Sequence, residues 1–136
     1  MDPLDAPAPL TELLEQLGAA GFRTAADERG GMGGARIVLR GAVPDPVEVT
    51  VSGDRGQWAI QVRVAGMSRG IVPAAWEAYL DGHEVTDRDL DLDRQAAFVR
   101  TRLPEAVAAA RTDPTLEPTL LRLGTDYMRR LLEPPS

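Results

Sequence analysis

The chain has 136 residues, a formal net charge of −6 and 15 basic residues, all of them arginine. This length suits one domain with its own core, and the lack of cysteine and lysine excludes disulfides, thiol catalysis, Cys-ligated zinc, Schiff-base chemistry and a P-loop lysine. A single histidine excludes the common His-rich zinc sites, and an acidic chain without a basic cluster is a poor candidate for binding nucleic acid.

The N-terminal residues do not predict a targeting or membrane-spanning segment. Its first residues, MDPLDAPAPL, are acidic and Pro-rich, unlike a secretory signal, and no apolar run approaches the ~20 residues that span a bilayer. We expect residues 1–9 to be frayed, residues 10–133 to form one domain, residues 134–136 to be a tail, and the protein to stay in the cytosol. The arginine-only basic set, with abundant Ala, Gly and Pro, suggests a GC-rich bacterial genome.

The first predicted element is an amphipathic helix. Pro9 suits an early helical position, and Gly18 or Gly21 can end the helix. Its apolar residues recur at i, i+3, i+4 and i+7, which is one face of a helix. They are Leu10, Leu13, Leu14 and Leu17.

Four short segments with alternating apolar and polar residues then predict β-strands. They are Phe22–Glu28, Ala35–Gly41, the segment around Val47, Val49 and Val51, and Gln57–Val64. The last is the most regular, with Trp58, Ile60, Val62 and Val64 on its inward face. Short links of turn-forming residues join the segments, which favours antiparallel neighbours.

The rest of the chain predicts about three helices. Pro73 can open the first, which contains Trp76 and ends near Gly82; the second covers Leu92 to Ala110, and Pro104 should kink or split it. The third carries an apolar stripe of Leu116, Leu120, Leu123, Tyr127 and Leu131. We therefore expect a two-layer α+β fold: an N-terminal helix, an antiparallel four-stranded meander, and about three C-terminal helices packed on one face of the sheet.

Residues 66–70, GMSRG, match the G-x-S-x-G pattern of a serine hydrolase. Ser68 is followed by Asp81 and His83 in the order Ser, Asp, His that such hydrolases use. The pattern normally leads directly into a helix in a parallel sheet, whereas here the helix is predicted to begin at Pro73 and the sheet is predicted to be antiparallel. The residues favour a glycine-bounded turn, and a small serine hydrolase with Ser68, Asp81 and His83 as catalytic residues is the alternative.

A second glycine-rich stretch, Gly30–Gly34, invites interpretation as a phosphate-binding loop. A P-loop needs Lys-Ser/Thr and a helix after its glycines, and a predicted strand follows here. We interpret the stretch as a hairpin loop whose backbone N–H groups could still bind an anion weakly.

The most acidic stretch is residues 81–93, DGHEVTDRDLDLD. An EF-hand loop starting at Asp87 would place Leu92 where glycine is needed and Phe98 where the bidentate glutamate belongs, so we predict no metal site and no cofactor. Asp91 or Asp89 can cap the following helix. The stretch can also display carboxylates to a basic partner protein, and the predicted partner-binding residues are Glu77, Asp81, His83, Glu84, Asp87, Asp89, Asp91 and Asp93.

The segment GQWAIQVRVAGMSRGIVPAAWEAYLDG, running into this acidic stretch, resembles the centre of several actinobacterial immunity proteins of toxin systems. A helix, a meander and a helical tail in a small, acidic, Cys-free chain are also similar to that class. The resemblance implies a cytosolic protein that binds a cognate toxin, often a basic nuclease, and blocks its active or substrate-binding surface.

Three functions follow as hypotheses. The first is an immunity or antitoxin-like protein, monomeric or homodimeric, that binds a toxin through an acidic face without nucleic acid, membrane or cofactor. The second is an adaptor resembling secretion chaperones, which also pair a terminal helix with a curved antiparallel sheet and bind a partner polypeptide. The third is the serine hydrolase.

Overall fold

A computed structural model of the protein describes residues 6–29, 34–41, 46–54, 57–64 and 66–132. It confirms the predicted α+β architecture: an N-terminal helix and a four-stranded sheet followed by three C-terminal helices. In chain order the elements are α1 (Ala8–Ala19), β1 (Arg23–Arg29), β2 (Ala35–Gly41), β3 (Val47–Asp54), β4 (Gln57–Val64), α2 (Pro73–Asp81), a 3₁₀ helix (Asp87–Leu90), α3 (Leu92–Thr112) and α4 (Leu116–Leu132).

The four strands form one antiparallel meander in the order β1-β2-β3-β4. The alternation expected from the sequence sets its register, since a shift of one residue would turn every buried side chain toward water. Ile37 pairs with Val51, which pairs with Ile60, and all three side chains are buried. This inward face packs against the helices. The opposite face of the sheet is called here the outer face.

All four α-helices contribute to one hydrophobic core against the inward face of the sheet. Trp76 of α2 lies at its centre with no exposed surface, and its indole Nε1 donates to the carbonyl of Val62 in β4 over 3.2 Å. This bond satisfies the one polar atom of a buried indole, as burial requires. The contact fixes α2, and with it the start of the acidic stretch, on the last strand.

Both ends of α1 agree with the prediction that Pro9 lies early in the helix and that a glycine ends it. The helix begins at Ala8, with Pro9 in its first turn. It ends at Ala19, where Gly21 has φ +100° and Phe22 N donates to Leu17 O over 2.9 Å. This is a Schellman ending, which needs a residue that tolerates positive φ, and Gly21 supplies it.

The C-terminal helices differ from the sequence expectations at two places. Of the two outcomes expected at Pro104, a kink or a split, the split does not occur, since α3 continues to Thr112. Buried residues on both sides of the proline, such as Val99 and Val107, hold the helix against the core. Leu131 was expected in the apolar stripe of α4 but is 50% exposed, because the core contacts of that helix end at Tyr127. No helix in the described part of the chain combines the length and apolar character that crossing a membrane would require.

Candidate partner-binding site

The acidic stretch connects α2 to α3 and is anchored at both ends. At its start Gly82 adopts a left-handed conformation, φ +73°, and His83 N donates to Ala78 O over 3.0 Å, which ends α2. Val85 then inserts into the hydrophobic core with 1% of its surface exposed. Residues 81–93 are therefore a connection held in place on the surface of the helical layer, called here the acidic ledge.

Two of the predicted partner-binding residues are buried. Glu77 is 8% exposed and Asp89 is 2% exposed. Both carboxylates face Arg94 at the start of α3: Arg94 Nε donates to Glu77 Oε1 over 2.6 Å and lies 3.5 Å from Asp89 Oδ1. Asp89 also accepts from the backbone N–H of Thr86 over 2.8 Å, so it closes the 3₁₀ turn on which the ledge is built.

Asp81 is held by a bidentate arginine contact. Arg102 of α3 donates to both of its carboxylate oxygens, over 2.8 and 3.0 Å, and to Glu105 over 2.7 Å. The guanidinium lies 5.6 Å from the centre of the Phe98 ring, which is within cation–π range. Hydrogen bonds from Arg102 lower the pKa of Asp81 below its ordinary value.

Glu84 and Asp87 project from the ledge into solvent. Their side chains are 69% and 85% exposed. Arginines of α4 reach them: Arg122 contacts Glu84 over 3.1 Å and Arg130 contacts Asp87 over 3.2 Å. These are surface ion pairs, a class that contributes about 0–1 kcal/mol.

Asp91 caps α3, as expected from the sequence. Its side chain accepts from Asp93 N over 3.3 Å, and Asp93 lies in the first helical turn, where the helix dipole favours negative charge. Both residues are exposed. They add two exposed carboxylates at the start of the helix that follows Glu84 and Asp87 in the chain.

His83 lies between these groups. Its Nδ1 is 2.7 Å from Glu84 O, and its Nε2 is 4.0 Å from Asp81 Oδ2. Within the described ranges, ligand atoms of His83, Glu77 and Asp89 come within 4.8 Å of one another, a spacing that could hold a metal ion. The guanidinium of Arg94 already pairs with both carboxylates, so a cation would have to displace it.

A surface cleft opens beside the ledge, between the end of α2 and α4. Its volume is about 390 Å³, and its lining includes Ala78 and Leu123 together with His83, Glu84 and Arg122. A lining of apolar and charged residues suits the aliphatic stem and charged head of a long side chain.

The G-x-S-x-G stretch forms a turn between β4 and α2. After it, Ile71 turns back and pairs with Val62 through two backbone hydrogen bonds of 2.8 and 2.9 Å, and α2 begins at Pro73. The Ser68 hydroxyl and backbone N–H both donate to Glu117 Oε1 over 2.6 Å. The serine is thus hydrogen-bonded to a carboxylate at the start of α4, and these two bonds lower the pKa of Glu117.

The sequence did not indicate the arginines that pair with the acidic stretch. Two of these arginines lie on α3 and two on α4, and in each helix they are eight residues apart. This spacing places both arginines on one side of their helix. They are Arg94 and Arg102 on α3, and Arg122 and Arg130 on α4. That spacing was a visible signal, but which carboxylate each arginine meets depends on how α3 and α4 pack. The glycine-rich stretch Gly30–Gly34 lies outside the described residues except for Gly34.

Comparison with protein-family models, with curated proteins and with solved structures found no match for the chain.

Proposed function

We propose that this protein is a cytosolic, non-enzymatic binding domain that neutralises a basic partner, as an immunity or antitoxin-like protein does. The observation that carries the proposal is the exposure of Glu84 and Asp87, 69% and 85%, on a ledge that Val85 and Asp89 fix to the core. Exposed carboxylates on a rigid support bind without the entropy cost of ordering a loop.

The intramolecular ion pairs of these carboxylates do not prevent such binding. Arg122 and Arg130 are themselves 55% and 43% exposed, and pairs of this kind contribute about 0–1 kcal/mol. Lysine or arginine side chains of a partner can therefore take their place at little cost. Asp91 and Asp93 add two charges next to them, and the chain as a whole carries −6, which would steer a basic protein toward this surface.

The cleft beside the ledge supports a specific mode of docking. A basic side chain of the partner would enter this cleft and place its charge at Glu84, which is one of its lining residues. Buried Glu77 and Asp89 support the ledge in this account, and the exposed carboxylates contact the partner. The assignment of the partner as a toxin rests on the resemblance to immunity proteins.

A second candidate function is the secretion-chaperone-like adaptor, which one observation favours. The end of α4 exposes Met128, Leu131 and Leu132, by 46%, 50% and 75%. Exposed apolar residues clustered at one helix end are typical of a polypeptide-binding or dimerisation surface. An adaptor of this kind should be a dimer whose assembly is lost in the triple variant Met128→Ser, Leu131→Ser, Leu132→Ser; a monomeric wild-type protein would contradict this candidate.

The proposed function is tested by measuring binding to the candidate partner, which is the protein encoded beside this one in its host genome. The site variant Glu84→Gln, Asp87→Asn, Asp93→Asn removes three exposed charges, and the control variant Glu12→Gln, Glu15→Gln, Glu28→Gln removes three exposed charges elsewhere. We expect one-to-one binding that weakens at least about tenfold in the site variant and stays within about twofold in the control. Equal weakening in both variants, or no binding by the wild type, would contradict the proposal.

A further inference from the structure

Four charged side chains lie in one row across the outer face of the sheet. Arg23 pairs with Arg40, Arg40 with Glu48, and Glu48 with Arg63, one residue from each strand. Residues directly paired across strands point to the same face, and this row has the parity opposite to buried Leu39 and Val62. The four residues are called here the arginine row.

The carboxylate of Glu48 lies between two of the three guanidinium groups. Arg40 Nε and Arg63 Nη2 each donate to Glu48 Oε2 over 3.0 Å. Burial raises the pKa of Glu48, but the hydrogen bonds from Arg63 and Arg40 outweigh this effect and hold the pKa below its ordinary value. Glu48 is therefore ionised at neutral pH and balances one arginine, which leaves two positive charges in the row.

The guanidinium groups are accessible. The side chains of Arg40 and Arg63 are 65% and 39% exposed, and Arg23 is exposed on the edge strand. Beside Arg40 and Arg63 lies a small cleft of about 100 Å³. It is large enough for a carboxylate group, and the guanidinium geometry suits one.

Among the residues that the structure describes, the two nearest rows of the outer face carry no excess charge. The next row holds Ala26, Val38, Thr50 and Gln61, which are all uncharged. In the row after that, Arg36 is matched by Glu28 at 3.7 Å. Among the described outer-face residues, positive charge is thus concentrated in one line, on a chain whose net charge is −6.

We propose that the arginine row is a second interaction surface, which binds an acidic polypeptide segment through its Asp or Glu side chains. An extended segment presents side chains to one face about every 7 Å, which the long arginine side chains can meet. The two net positive charges of the row can pair with the few carboxylates that a short acidic segment presents. A nucleic acid would need a longer basic track to offset repulsion by the acidic chain. This surface lies on the opposite layer from the acidic ledge and does not depend on the proposed function.

The probe is a fluorescein-labelled decaglutamate peptide, followed by fluorescence anisotropy at low ionic strength. The row variant Arg23→Gln, Arg40→Gln, Arg63→Gln should weaken binding at least about tenfold, because three charge-assisted contacts are lost. The control variant Arg69→Gln, Arg100→Gln, Arg129→Gln changes the net charge equally at exposed sites outside the sheet and should stay within about twofold of the wild type. Glu48→Gln should tighten binding several-fold, a gain that a purely structural role of Glu48 would not give.

Circular dichroism shows whether each variant is folded. If the row variant is unfolded, the single variant Arg40→Gln replaces it in the binding measurement. Equal weakening in the row and control variants, or no saturable binding by the wild type, would overturn the proposal. Tighter binding of an oligothymidylate than of decaglutamate, with the same sensitivity to the row variant, would replace it with nucleic-acid binding.

Discussion

The Ser68 hydroxyl lies 2.6 Å from Glu117 Oε1, although the two residues are 49 positions apart in the chain. This contact ties the turn after β4 to the first turn of α4, so we expect Ser68 to position the turn. Ser68→Ala should lower the melting temperature by a few degrees, since one hydrogen bond to an ionised group is lost, and should leave any background ester hydrolysis unchanged. Loss of hydrolysis, or labelling of Ser68 by a fluorophosphonate, would instead support the serine hydrolase.

The effect of Ser68→Ala should also depend on pH. The Ser68 bonds lower the pKa of Glu117 in the folded state, so their stabilisation is present above the ordinary carboxyl pKa and is lost as pH falls through the folded-state value. Thermal melts of wild type and variant should therefore converge in acid. A difference that stays constant with pH would show that the contact does not involve the ionised carboxylate.

Arg94 is expected to be the residue on which the acidic ledge depends most. Arg94→Met would leave Glu77 and Asp89, 8% and 2% exposed, without a cation. We expect the free energy of unfolding to fall by about 2–3 kcal/mol. This is less than the roughly 3–5 kcal/mol of a fully buried pair that loses one partner, because Arg94 itself is 37% exposed. Urea unfolding measures this, and the control Arg100→Met, exposed on the same helix, should change stability by less than about 0.5 kcal/mol.

The Tyr79 hydroxyl should ionise at a higher pH than an ordinary tyrosine. Burial, together with its hydrogen bond to the Asp113 carboxylate, raises the pKa of Tyr79 to about 12. Since the unfolded-state pKa is about 10, the stabilisation is complete below that pH and is lost as pH rises through about 12. The difference in tyrosinate absorbance between the wild type and Tyr79→Phe follows the titration of Tyr79 alone. In the Asp113→Asn variant this titration should move to lower pH. An unchanged titration would exclude Asp113 as a cause of the raised pKa.

Gly53 lies against the Trp58 ring, and the space there is too small for a methyl group. A Cβ at Gly53 would lie 2.5 Å from Trp58 Cδ2. Gly53→Ala should therefore reduce the free energy of unfolding by about 1–3 kcal/mol and alter the Trp58 fluorescence. Gly18→Ala is the matched control: its Cβ would meet no described atom within 4 Å, and it should stabilise α1 by up to about 1 kcal/mol.

The parts of the fold that depend on local periodicity were predictable. The alternation of Trp58, Ile60, Val62 and Val64 indicated β4, and Asp91 was identified as a candidate cap for α3. The continuation of α3 through Pro104 was not, because core contacts on both sides of the proline outweigh its local penalty.

The candidate site was predictable only in part. The sequence located the acidic stretch, but burial of Glu77 and Asp89 and the pairing of the stretch with four arginines arise from the packing of α3 and α4. The arginine row depends on strand register: Arg23, Arg40, Glu48 and Arg63 are adjacent only in the folded sheet.

The salt dependence of binding tests the central claim, that Glu84, Asp87 and Asp93 attract a basic partner. Isothermal titration calorimetry of the neighbour-encoded protein against the wild type and the Glu84→Gln, Asp87→Asn, Asp93→Asn variant, each at low and high NaCl, gives the two slopes. Salt should weaken wild-type binding steeply and variant binding much less, because the screened charges have been removed from the variant. Identical slopes for the two proteins would contradict it.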